Sequence, residues 1–482
     1  MKKLYKMTIL IVAIALLATT TMFVLADGTG FYDEGNYEEL ESPYVIDVTG
    51  MFDHLFEPIV PTPIDASFFD TMEEYAQFRE AERLMIIQAP AVEAYGRLMG
   101  HFHIIVDGFW QLVFPDNYAG AYVDYDTLVI QLTDISDEVI AFYTGLVGHG
   151  APIAFKQVEF SVNEVMDFGL SFIDTIDVPV VSFGYDTMRN SFLIVLNETA
   201  VESVAFYETF SLITMYTSIP VTLELSEPIN WVTGEQLDSY VPIEPYNVPV
   251  GSFLGGQRIA RLNLPAAGFS LGISGQIRPS FNNQPSTDGL AILTAGHPFT
   301  IGFPELSSPR GVVVSLNGQR IGVLESFNVS GRWGGEFQPT TANGNWAIIR
   351  LDHGSRFGVT NWTQTGARLM GTAPSPPVGS LVRGTGQITH SFHGTVTAVN
   401  QITREDPRFY FNEMFGMTRV RPTVAVPSQG DSGGTVYQIF GGVEARFAGI
   451  FAGVSQSNWY FTPAITIMPY FVPRVFDGYV TW

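Results

Sequence analysis

The chain has 482 residues, 46% of them hydrophobic and 15% charged, with 47 glycines, 29 prolines and no cysteine. This is a globular, turn-rich composition, and the missing cysteine excludes disulfides, cysteine–zinc sites and a cysteine nucleophile. The net charge of −24 argues against nucleic acid as a partner. That charge divides unevenly, into −29 over residues 1–250 and +5 over residues 251–482, where all 16 basic residues are arginine.

In chain order, Lys2, Lys3 and Lys6 precede an apolar run over residues 7–17 and a small-residue cleavage site at Val24-Leu25-Ala26. Residues 1–26 therefore read as a signal peptide, which implies a secreted, extracellular protein. Apolar residues recur up to Leu25, so an uncleaved anchor, and with it a membrane partner, stays open. Residues 27–70 are acidic and turn-rich and are expected to be loosely ordered.

Residues 71–250 read as an α+β region. The spacing of Tyr75, Phe78, Leu84 and Ile87 predicts an amphipathic helix over residues 73–98. Two similar strand-strand-helix-strand units follow. The first has strands at Ala121-Tyr122-Val123, Leu128-Val129-Ile130 and residues 157–160, with a helix at Ala141-Phe142-Tyr143. The second has strands at Val180-Val181-Ser182-Phe183, Phe192-Leu193-Ile194-Val195 and residues 221–225, with a helix at Ala205-Phe206-Tyr207 capped by Asn197. Pro228, Pro242, Pro245 and Pro249 mark residues 226–250 as a linker. His101 and His103 alternate on an expected strand without a carboxylate at metal spacing, so no metal site is expected, and no phosphate loop or other cofactor motif stands out.

From residue 251 lysine disappears and short alternating runs begin, punctuated by Gly, Pro and Asn. This is an all-β pattern. Within it lie Leu293-Thr294-Ala295-Gly296-His297 and Gly430-Asp431-Ser432-Gly433-Gly434, whose serine comes 135 residues after that histidine. A serine hydrolase needs a nucleophile, a base, an orienting partner and N–H groups for the oxyanion. Ser432 offers the hydroxyl, His297 the base, and the N–H groups of Gly430 and Ser432 the oxyanion site.

These motifs, with Leu254-Gly255-Gly256, Phe415-Gly416-Met417-Thr418-Arg419 and Phe461-Thr462-Pro463, resemble the streptogrisin and alpha-lytic branch of the chymotrypsin-like serine proteases. The resemblance covers residues 251–473, and Tyr118 to Thr133 is similar to part of that family's pro-region. It implies an all-β protease domain over residues 251–482, made of two six-stranded antiparallel β-barrels, after an α+β pro-region that assists folding and then inhibits. The partners implied are a protein or peptide substrate and the chain's own pro-region. It also implies an Arg383–Asp431 ion pair, with a solvated Arg383 as the alternative, and a primary pocket near Val426, Ala452, Gly453 and Val454. Neither valine carries charge, so small apolar side chains before the scissile bond are expected.

Two positions depart from the family pattern. Asn345, in Gly344-Asn345-Trp346-Ala347-Ile348-Ile349-Arg350, stands where the family has its triad aspartate, and Ala452 where it has a supporting serine. Asparagine bonds an imidazole without offsetting its charge and can favour the wrong tautomer. The chain is either a weaker Ser432–His297 endopeptidase oriented by Asn345 or a non-catalytic binding homologue. Asp352, seven residues from Asn345, is roughly 23 Å away along an extended strand and a poor substitute.

Overall fold

The computed structural model describes residues 66–69, 71–106, 109–173, 179–199, 218–229, 252–261, 264–277, 290–299, 313–316, 319–328, 332–333, 336–337, 341–352, 358–373, 375–404, 413–428, 430–441, 444–455 and 457–473. The signal segment, nearly all of the acidic segment, the helix expected at Phe206 and most of the linker lie outside them.

The first helix, α1 (Met72–Phe102), begins before and ends after the stretch the apolar spacing predicts. Its start is fixed by a capping box. Thr71 Oγ1 accepts from the Glu74 N–H at 3.1 Å, and the Glu74 carboxylate accepts from the Thr71 N–H at 3.2 Å, so two orphan donors of the first turn are satisfied. The helix serves two cores. Ala81 and Met85 pack with Leu293, Trp346, Tyr437, Phe447 and Ile450, whereas Tyr95, Leu98, Met99 and Phe102 pack with Tyr118, Leu128, Ile130 and Tyr143. Pro90, which lacks an N–H for the helical ladder, lies between the two sets.

The N-terminal part then repeats one topology. Tyr118–Asp124 and Thr127–Leu132 pair antiparallel, and after the helix Asp137–Val147 the strand Ile153–Gln157 joins in parallel. Val180–Asp186 and Ser191–Asn197 pair antiparallel, with Val221–Ser226 parallel to the second. Between the units a further helix, Val162–Phe172, starts at a second capping box, Ser161 with Glu164. The apolar pattern alone does not pick out this helix, although its Ser-x-x-Glu start stands in the sequence.

The C-terminal part is mostly β. An eight-stranded sheet has Leu290–Thr294 between Ser274–Ile277 and Trp346–Leu351. All five residues of Leu290–Thr294 are buried, which explains an apolar run without alternation. In a larger sheet Thr435–Gly441 lies between Leu381–Gly384 and Glu444–Val454, and the latter pairs on with Trp459–Pro463. Short parallel contacts interrupt the expected antiparallel pattern, as where Ser252–Gly255 meets Gly358–Thr363. The larger sheet also continues into the N-terminal part, because Ile402 and Thr403 pair with Phe183 and Ser182.

Candidate active site

Leu290–Thr294 ends at Thr294, and the chain turns through Ala295 and Gly296 into the single turn His297–Phe299. Ser432 occupies a tight turn just before Thr435–Gly441. There the Gly434 N–H donates to the Asp431 carbonyl at 2.9 Å and the Gly433 N–H to the Phe451 carbonyl at 2.8 Å. Both turns meet on Ser270. Its N–H donates to the Ser432 carbonyl at 2.7 Å, and its carbonyl accepts from Thr294 Oγ1 at 2.7 Å. Gly433 permits this approach. Its φ is +92°, and a Cβ there would overlap Thr294 Oγ1, the Ser270 carbonyl and the Ala295 nitrogen, a position only glycine fits. Ser432 is 2% exposed and His297 fully buried.

Asn345 sits at the head of Trp346–Leu351, beside the His297 turn. Its Oδ1 accepts the N–H groups of Gly296 and His297 at 2.8 and 3.0 Å, and its Nδ2 lies 2.8 Å from His297 Nδ1. The two N–H donors fix the amide orientation, because a flipped amide would aim its own NH₂ at them. Nδ2 therefore donates to Nδ1, and the ring proton of neutral His297 sits on Nε2. Burial pushes the imidazole pKa down to about 3, against the smaller opposite pull of the Asn345 hydrogen bond. The Ser432 hydroxyl donates to the Ala452 carbonyl at 3.2 Å.

Arg383 and Asp431 are not partners as the resemblance implied. Arg383 Nη1 donates to Glu82 of α1 at 3.0 Å and Nε to Ser391 Oγ at 3.0 Å, with the guanidinium over Phe78 and Tyr437. The cation is 3% exposed, so it is not solvated either. Asp431 is held instead by backbone N–H groups, from Ile388 at 2.7 Å, Ser428 at 2.8 Å and Thr389 at 3.1 Å. Burial raises its pKa, and these hydrogen bonds from Thr389, Ser428 and Ile388 oppose the rise. The cause lies in the fold: α1 brings a carboxylate to Arg383, and the loop after Leu381–Gly384 brings amides to Asp431.

Of the expected pocket residues, Ala452 is buried and meets Ser432 through its carbonyl. Gly453 and Val454 end the strand Glu444–Val454 opposite Tyr460 and Trp459. Val454 packs its side chain against the cluster containing Val378 and Trp459, and Val426 is half exposed. His103 Nδ1 bonds the Met99 carbonyl at 2.8 Å, and the described residues contain no cluster of three or more metal-binding side chains. The sequence reading missed Thr462, whose Oγ1 accepts the Asn345 N–H at 2.8 Å and donates to its carbonyl at 3.2 Å. It also missed Ser270, Gln387 and Glu82. Thr462 lies inside the Phe461-Thr462-Pro463 motif and could have been found there; the others carry no local signal.

No protein-family model matches the chain, and no curated protein matches it in sequence. Similar solved structures are serine proteases. A Nocardiopsis protease is 19% identical at a TM-score of 0.31, with 45% of this chain and 95% of that one covered. Protease A of Thermobifida fusca is 18% identical at 0.32, with 46% and 100% covered. The Cellulomonas bogoriensis chymotrypsin is 18% identical at 0.31, also with 46% and 100% covered.

Proposed function

We propose that the chain is a secreted serine endopeptidase made as a closed precursor, with two β-barrels over residues 251–482 and the segment 71–250 as its inhibitory pro-region. The reading rests on one observation above others: the His297 and Ser432 turns meet across Ser270, with Asn345 bonded to the imidazole. Ser432 Oγ attacks the peptide carbonyl and its proton passes to His297 Nε2. The oxyanion forms against the N–H groups of Gly430 and Ser432, and the protonated imidazole returns its proton to the leaving amine. An extended peptide lies along Ala452–Val454, with a small apolar side chain towards Val426 and Val454. The burial of Ser432 and His297 supports a precursor that substrate cannot enter.

Asn345 makes the reaction slow. The base needs its proton on Nδ1, and that tautomer gives up the Asn345 Nδ2 hydrogen bond. The same amide orientation favours a second reading, in which the fold is kept for binding alone. The two readings separate when a cleavage site is placed within residues 230–250 and cut by an added protease. Labelling of Ser432 by a fluorophosphonate, with hydrolysis of a peptide bearing a small apolar residue, is expected to rise after the cut and to be absent in Ser432→Ala. A cut protein that neither labels nor cleaves would leave the binding reading.

A further inference from the structure

Ser270 uses every polar atom it has at the seam between the two turns. Its N–H holds the Ser432 carbonyl at 2.7 Å, and its carbonyl holds Thr294 Oγ1 at 2.7 Å. Its hydroxyl donates to the Gly430 carbonyl at 3.1 Å and accepts the Gln387 N–H at 2.9 Å. Gln387 Nε2 adds a second donor to the same Gly430 carbonyl at 2.8 Å. Ser270 is fully buried, in an interior where each of these bonds lacks competition from water.

We propose that Ser270 is the positioning residue of the nucleophile loop. It brackets Gly430-Asp431-Ser432 at both ends, by its hydroxyl on the Gly430 carbonyl and its N–H on the Ser432 carbonyl. With φ of Gly430 at +96°, pinning that carbonyl fixes the Gly430–Asp431 peptide plane, which lies between the two peptide units that carry the Gly430 and Ser432 N–H groups. Through Thr294 the same residue ties this loop to the strand that leads into the His297 turn. Gln387 is the auxiliary clamp, and it arrives on the loop whose amides hold Asp431. The proposal rests on the catalytic reading, because the peptide units it holds adjoin those carrying the oxyanion donors of that reaction, but the placement of the loop is measurable without catalysis.

The test uses the full chain and two readouts. Hydrogen exchange of peptides spanning residues 428–434 is expected to rise by about tenfold or more in Ser270→Ala, since two hydroxyl hydrogen bonds are lost, and to return towards wild type in Ser270→Thr, which keeps the hydroxyl. After the linker cut, fluorophosphonate labelling of Ser432 is expected to slow by up to about 10²-fold, the scale of losing one oxyanion donor. Unchanged exchange in residues 428–434, or a uniform rise over the whole chain, would overturn the proposal. A loop-confined rise in a protein whose wild type never labels would support the positioning role and sink the catalytic reading instead. Should Ser270→Ala fail to fold, Gln387→Leu removes only the second donor to Gly430, and a smaller loop-confined rise is expected; none would count against the clamp.

Discussion

At the scale of single residues, the proposed catalysis turns on the amide of Asn345, which sets the tautomer of His297. Replacing it with a carboxylate leaves the Gly296 and His297 N–H groups an acceptor and turns the His297 Nδ1 partner from donor to acceptor. The proton then moves to Nδ1 and Nε2 becomes the base. Asn345→Asp in the cut protein is expected to raise kcat by up to about 10⁴, the size of the reverse change in a Ser–His–Asp protease, or about 5.5 kcal/mol of barrier. Steady-state kinetics with the peptide substrate check this, and an unchanged kcat would show that the amide is not the limit. The depressed His297 pKa gives a second expectation. A histidine that is neutral when folded, near 3, and ordinary when unfolded, at 6.5, stabilises the fold above pH 6.5 and loses that contribution as pH falls towards 3. Urea midpoints of wild type and His297→Gln measured from pH 7 to 4 are expected to converge on acidification; parallel curves would contradict the buried neutral state. His297, Ser432 and Asn345 could be named as candidates because each lies in a short contiguous motif. Ser270 and Gln387 were not, because their roles consist of hydrogen bonds to residues 160 and 43 positions away, which no local spacing encodes.

At the scale of elements, α1 is one rod with two employers. Its apolar period is readable over residues 73–98, but period alone names no partner for Glu82, and the resemblance pairs Arg383 with Asp431 instead. The helix supplies Phe78 beneath the guanidinium, Glu82 against it, and the Gln88 side chain, which donates to the Gly379 carbonyl at 3.1 Å and accepts the Leu381 N–H at 2.8 Å. Glu82→Gln leaves a buried cation without its carboxylate and is expected to cost about 3–5 kcal/mol by urea denaturation. The double variant Glu82→Gln/Arg383→Met is expected to recover much of that loss. A cost under about 1 kcal/mol, the range of exposed pairs, would mean that the helix is only loosely attached.

At the scale of the whole molecule, the charge asymmetry of the sequence reappears as contacts. Among the described residues, Arg383–Glu82, Arg419–Glu224 and Arg446–Glu93 join C-terminal arginines to N-terminal glutamates at 3.0, 2.8 and 2.6 Å. Burial of Glu224 acts to raise its pKa, but Arg419 and Arg189 outweigh it and leave the carboxyl below its ordinary 4.5. The Arg419–Glu224 pair therefore contributes fully above pH 4.5 and is lost as pH falls below that value. After the linker cut, the two parts are expected to co-elute at pH 7 and to separate more readily below pH 4.5; association unchanged down to pH 3 would argue that sheet pairing and core packing hold them without help from charge. The acidic and basic totals were plain in the sequence, whereas the pairing of individual side chains required the fold.

The helix that joins both cores also sets an order of assembly. Glu82 meets Arg383 across 301 positions, and Gln88 meets Leu381 across 293. Contacts of such separation are slow to form, because the intervening chain must be brought together before they repay its lost entropy. One end of α1 can settle early against its neighbours Tyr118 and Tyr143, while the other must wait until residues near 440 have been synthesised. A segment made among the first is thus completed among the last. Until then Ala81 and Met85 remain uncovered, the interval in which the growing chain is most open to aggregation or to a chaperone.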